Sequence, residues 1–162
     1  MDRKWFIFLG MGLIGLLFLY KESVYQSVET GVNWMMGLYD EIYVKWGAMR
    51  GIDWKLLKAI SIVESSENPN AVGDEGQSIG LMQISLIVGG SYGMNNEDLL
   101  NPGLNVQVGS GFLKEMTDKY GFEGGIQAYN LGETKFRKGY TSPVYLDKVM
   151  SEFLKLQETE IV

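Results

Sequence analysis

Glu64 stands at the end of an apolar, helix-like run, Leu56-Leu57-Lys58-Ala59-Ile60-Ser61-Ile62-Val63, and is followed by Ser65, Ser66 and Asn68-Pro69. Apolar neighbours penalise the charged form of a carboxyl and raise its pKa. The negative end of a helix dipole pushes the same way. A carboxyl that keeps its proton near neutral pH can serve as a general acid, and glycosidic bond cleavage needs such a group. Two later runs offer polar partners for a substrate: Gly80-Leu81-Met82-Gln83-Ile84 and Ala128-Tyr129-Asn130. The Gln83 amide can both donate and accept hydrogen bonds.

Composition narrows the chemistry further. The chain has 162 residues with neither cysteine nor histidine. Thiol nucleophiles, thiolate metal sites, disulfides and the His-dependent triads are therefore excluded. Catalysis must rest on carboxylates, Tyr, Lys, Ser or backbone groups, and neither a metal nor a cofactor is expected. A net charge of −6 without a basic patch argues against a nucleic-acid partner. At 46% hydrophobic and 21% charged residues, the chain can fill the core of one domain with an appendage.

The elements that must position these residues read as mainly α-helical. Asp53 is the expected N-cap of a helix running to about Ser65, with Leu56, Leu57, Ile60 and Val63 on its buried face. Asn68-Pro69 stops it. A turn-rich loop spans residues 73–80, within one short irregular or β segment between Glu64 and Ser91. Asn101-Pro102 reads as a cap with proline at the first helical position. The helix behind it carries Leu104, Val108, Phe112, Leu113, Met116 and Tyr120 on one face and ends at Gly121. A short helix covers residues 123–130, and Ser142-Pro143 opens the last one, with Leu146, Val149, Met150 and Phe153 inward.

The N-terminal third differs in character. After the basic start Met1-Asp2-Arg3-Lys4, residues 5–20 are uncharged and apolar, flanked by Lys4 and Lys21, with Trp5 and Tyr20 suited to the interfaces. Residues 1–21 are expected to be a retained transmembrane anchor, N-terminus inside, making this a single-pass protein with its remainder outside the cytoplasm. The alternative, a cleaved signal peptide, lacks a convincing small-x-small site. Residues 22–47 repeat apolar positions at helical spacing and are expected to form a helical stalk or membrane-proximal segment; the alternative is a helix packed on the domain. The catalytic domain is expected over residues 48–157, with a tail at 158–162.

From about Gly51 to Phe153 the chain resembles the lytic transglycosylases of the lysozyme-like superfamily, of the soluble-lytic-transglycosylase type. Asp53-Trp54-Lys55-Leu56-Leu57-Lys58-Ala59-Ile60 with Glu64-Ser65 is similar to that family's helix ending in its catalytic Glu-Ser. Asn68-Pro69-Asn70-Ala71-Val72, Gly80-Leu81-Met82-Gln83-Ile84, Asn101-Pro102 with Asn105-Val106, Ala128-Tyr129-Asn130 and Tyr145-Leu146 with Val149 continue the likeness in order. The resemblance implies a lysozyme-like, goose-lysozyme-type fold and Glu64 as the catalytic acid. It implies contacts to the glycan from Ser65, Ser78, Gly80, Met82, Gln83, Tyr129, Asn130 and Tyr145, with Tyr145 orienting Glu64. The chain departs from the pattern at Gly73, where many relatives have serine, and in a loop one residue longer before Gly80; Ser78 is the candidate for the missing hydroxyl.

The expected reaction is cleavage of the β-1,4 bond between N-acetylmuramic acid and N-acetylglucosamine in peptidoglycan, leaving 1,6-anhydro ends. Two rivals stand beside it. A hydrolytic muramidase on the same fold would need Asp74 or Glu75 to hold a water. A membrane-anchored assembly protein would keep the fold only to bind glycan. Either role fits local wall opening with a phage or secretion apparatus as partner.

Overall fold

The computed structural model describes residues 37–158. Helix α1 covers Asp40–Arg50 and α2 Trp54–Ser65. A small sheet follows: β1 Val72–Gly73, a 3-10 turn at Asp74–Gly76, β2 Ser78–Ile79 and β3 Ile84–Ser85. Then come α3 Leu86–Ser91, α4 Asn96–Leu100, α5 Pro102–Leu131, α6 Glu133–Arg137 and α7 Pro143–Glu158. The sheet is antiparallel in the order β1-β2-β3, with Val72 opposite Ile79 and Ser78 opposite Ser85. The domain is thus mainly helical with one short sheet.

Local chemistry sets the helix ends. The Asp53 carboxylate accepts the Lys55 N–H at 2.9 Å, and Ser66 closes α2 in the left-handed region at φ 55°. Asn101 caps α5 through the Leu104 N–H, with Pro102 at the first helical position. Gly121 interrupts α5 at φ 73°, ψ 176°, where the sequence predicts a helix end. The two-residue strands are a finer structure than the irregular segment expected there.

Helix α2 lies at the centre, packed on both α7 and α1, while α1 also packs on α5. Leu57, Ile60, Leu81, Met82, Leu113 and Val149 are fully enclosed. Burying each such side chain contributes about 1.5–3 kcal/mol. Helix α1 belongs to this core. Tyr43 is fully buried and donates to Ser61 Oγ at 2.7 Å, and the enclosed Asp40 pairs with Lys58 at 2.6 Å. The compact unit accordingly begins at Leu38 rather than near residue 48, because these two contacts tie α1 to α2. Among the described residues, no helix is long and apolar enough to cross a membrane. The anchor expected at residues 1–21 and most of the stalk expected at 22–47 lie outside the described residues.

Candidate active site

Glu64 occupies the last turn of α2, where Ala59 and Ile60 on the preceding turn are fully enclosed. Its carboxyl is half-buried, and Oε1 accepts a 2.6 Å hydrogen bond from the Tyr145 hydroxyl of α7. Burial pushes the pKa of Glu64 up to about 7. The Tyr145 bond opposes this by favouring the carboxylate, and the charge of Asp74 adds to the rise. Tyr145 is itself held far above its ordinary pKa, first by burial and then by the charge of Glu64. It therefore remains a proton donor to Glu64 across the working pH range. With Oε1 engaged by Tyr145, Oε2 is the carboxyl oxygen left outside that bond.

The backbone strip 81–83 fixes the other wall. Ser65 Oγ donates to the Leu81 carbonyl at 2.7 Å, and Ser61 Oγ donates to the same oxygen at 3.2 Å. The Tyr129 hydroxyl donates to the Met82 carbonyl at 2.8 Å. Gln83 sits in the left-handed region at φ 45°, and its Nε2 donates to the carbonyls of Ala71 and Gly80. Gly80 has φ 79°, and a Cβ there would stand 2.3 Å from Asn105 Nδ2. Only glycine allows both that conformation and that approach.

Asn105 is the keystone that the sequence reading quotes without giving it a role. Fully buried on α5, it accepts the Met82 N–H and donates to the carbonyls of Ile79 and Leu99, each at 2.8 Å. The signal was present: Asn105 shares the inward face of α5 with Val108, and a polar residue on such a face needs partners.

The structure thus gathers Glu64, Ser65, Gly80, Met82, Gln83, Tyr129 and Tyr145 around the end of α2. Several of these work differently from a sugar contact. The Met82 side chain is fully enclosed, lying where a Cβ on Gly109 would be 2.6 Å from its sulfur. Tyr129 is buried with its hydroxyl committed to Met82, and Ser65 is committed to Leu81. Ser78 is buried and donates its hydroxyl proton to Asp74 Oδ2 at 2.7 Å. Asn130 is exposed at the end of α5, and its Oδ1 accepts from Ser142 Oγ. Among the described residues, no group of three or more acidic side chains could hold a metal ion.

Residues 41–143, more than half of the chain, match the family model described as the transglycosylase SLT domain. The endo-type membrane-bound lytic murein transglycosylases A of Salmonella paratyphi B and Salmonella paratyphi A are each 32% identical over 127 residues, covering 70% of this chain. The chain spans about 60% of the length of those relatives. Among solved structures, an inactive variant of the lytic transglycosylase Slt from Pseudomonas aeruginosa superposes with a TM-score of 0.56 at 18% identity, over 69% of this chain and 20% of that one. The 70 kDa soluble lytic transglycosylase of Escherichia coli gives 0.55 at 22% identity, over 78% and 22%. A complex of the 70 kDa soluble lytic transglycosylase with bulgecin A gives 0.56 at 22% identity, over 71% and 19%. These solved structures share the fold, and the family match extends from α1 to the start of α7. The chain belongs to the transglycosylase SLT domain family.

Proposed function

We propose that the protein cleaves the β-1,4 bond between N-acetylmuramic acid and N-acetylglucosamine in peptidoglycan, with Glu64 as the one acid and base. The supporting observation is the half-buried Glu64 carboxyl, raised to about 7 and oriented by Tyr145. Protonated Glu64 gives its proton to the bridging oxygen as the glycosidic bond breaks, and the bonding pair leaves with that oxygen. Positive charge develops at the anomeric carbon of the muramic acid. The new Glu64 carboxylate, now accepting the Tyr145 bond in its charged state, takes the proton of the C6 hydroxyl. That oxygen closes on the anomeric carbon, and a 1,6-anhydro ring results without consumption of water. The same carboxyl ends the cycle protonated.

Half-buried Gln83 and exposed Asn130 are the polar groups offered to the glycan, while Ser65, Tyr129 and Asn105 shape the wall behind them. The membrane-bound relatives and the apolar run at residues 5–20 support an anchored enzyme acting outside the cytoplasm. Such an enzyme suits local wall opening alongside a phage or secretion apparatus.

Mass spectrometry of glycan fragments released from purified sacculi tests the reaction. Anhydro-muramic ends, lighter than reducing ends by one water, are expected. Predominantly reducing ends would mean hydrolysis, and absence of any released fragment would leave the fold as a glycan binder.

A further inference from the structure

Tyr145, Val149 and Phe153 form the stripe of α7 that is buried in the domain, at helical spacing. A neighbouring stripe of the same helix borders a groove of about 480 Å³. Val144, Lys148 and Glu152, one turn apart, line it with Ser151 and Asp147, and Ile62 and Val63 of α2 form its other wall. One end of the groove is fixed by the site. Val63 and Val144 immediately precede Glu64 and Tyr145, whose side chains meet at 2.6 Å. Ser142, two residues before Val144, bonds Asn130, one of the groups offered to the glycan. The groove therefore starts beside the acid and leads away from it along α7. From Val144 to Glu152 the helical rise makes this path about 12 Å long.

The chemistry changes along that path. Beside the acid the lining is apolar, with Val63 half-buried and Val144 67% exposed. One turn on stands exposed Lys148, and the next turn brings Ser151 and Glu152. Among the described residues, neither Asp147 nor Lys148 takes part in an ion pair. Glu152 accepts from Lys155 through one oxygen, at 2.7 Å. On α5, by contrast, Lys114 pairs with Asp118 and Lys119 with Glu115 along the helix.

We propose that this groove receives the peptide stem that branches from the muramic acid held at Glu64. The site rests on the peptidoglycan reading and extends it to a part of the substrate that Gln83 and Asn130 do not serve. The stem leaves the lactyl group of muramic acid with its side groups in a set order: an alanine methyl, then a free carboxylate, then the amine of a diamino acid. The groove offers complements in that order. Val63 and Val144 meet the methyl, Lys148 pairs with the carboxylate, and Glu152 takes the amine, with Asp147 adding to the negative field. An extended peptide of about four residues spans about 13 Å, the length of the groove. Exposed ion pairs of this kind add little affinity each. Their effect is selection of peptide-bearing strands over bare ones.

The test compares kcat/KM of the full protein on solubilised peptidoglycan strands and on the same strands stripped of peptide by an amidase. Wild type is expected to prefer the peptide-bearing strands, and the preference should shrink in high salt. Lys148→Glu should lower that ratio by roughly fivefold, the scale of exchanging an exposed ion pair for a like-charge contact, and Lys148→Arg should keep it. An equal ratio in wild type and Lys148→Glu overturns the proposal. A second readout needs no activity. Muramoyl tripeptide added to the Glu64→Gln protein should shift the methyl NMR signals of Val63 and Val144, and the shifts should weaken in Glu64→Gln with Lys148→Glu. Methyls that stay still, or that already contact residues 22–36 of the same chain, overturn the proposal. A protein that cleaves neither kind of strand would refute the reaction, and the methyl shifts would then decide the groove alone.

Discussion

Glu64→Gln is expected to yield a folded protein whose activity on purified peptidoglycan is lower by at least about a hundredfold, the scale of losing a general acid. The substitution keeps the shape and the Tyr145 contact but removes the transferable proton. Stability should move the opposite way, and its sign follows from the raised pKa. In the unfolded chain the carboxyl titrates near its ordinary 4.5, in the native protein near 7. Between these values the native state binds the proton more tightly, so stability declines as pH rises through the window. Gln carries no such burden. The variant should therefore match wild type in thermal melts at about pH 4 and exceed it at about pH 8. Activity within a few-fold of wild type would end the assignment of Glu64, and a variant less stable at high pH would contradict the burial account.

The second large effect concerns Asn105. Asn105→Ala strips partners from the Met82 N–H and from the carbonyls of Ile79 and Leu99, all inside the core. Each orphaned group costs about 1–3 kcal/mol. A total loss on the order of 3–5 kcal/mol is expected, read as a melting temperature lower by roughly 10 °C or more. Asn105→Asp should also destabilise, because a carboxylate cannot donate to the two carbonyls. A drop of only a degree or two in both variants would show that the strip 81–83 is held mainly by Ser65 and Tyr129.

Features governed by local chemistry were legible in the sequence. The Asp53 and Asn101 caps, the break at Gly121 and the proline opening of α7 act through their own backbone neighbourhoods and stand where expected. Glu64 was legible because an apolar run ends on a carboxyl. The hydrogen bond from Tyr145 spans 81 residues and follows only from the family resemblance. Strands of two residues have no periodicity to read, and α3 contains Gly89 and Gly90, which oppose a helix assignment. The packing of α1 on the domain stood only as the alternative, because nothing local in the sequence brings Asp40 against Lys58 of the next helix. Met82, Tyr129 and Ser78 were expected to touch the glycan because motifs mark residues without saying which atoms are used. In each case the polar atoms are used inside the protein: the Met82 N–H by the Asn105 amide oxygen, the Tyr129 hydroxyl by the Met82 carbonyl and the Ser78 hydroxyl by the Asp74 carboxylate.

The central claim is that burial at the end of α2, not a second catalytic group, keeps Glu64 protonated near neutral pH. Direct titration of the Glu64 carboxyl in the wild-type protein measures this. With no histidine in the chain, no imidazole can confuse the signal or the accompanying loss of activity. A midpoint close to 7, with sacculus digestion falling as pH rises through the same value, is the expected result. A midpoint near the ordinary 4.5, or activity that holds steady to about pH 9 despite a midpoint near 7, would contradict it.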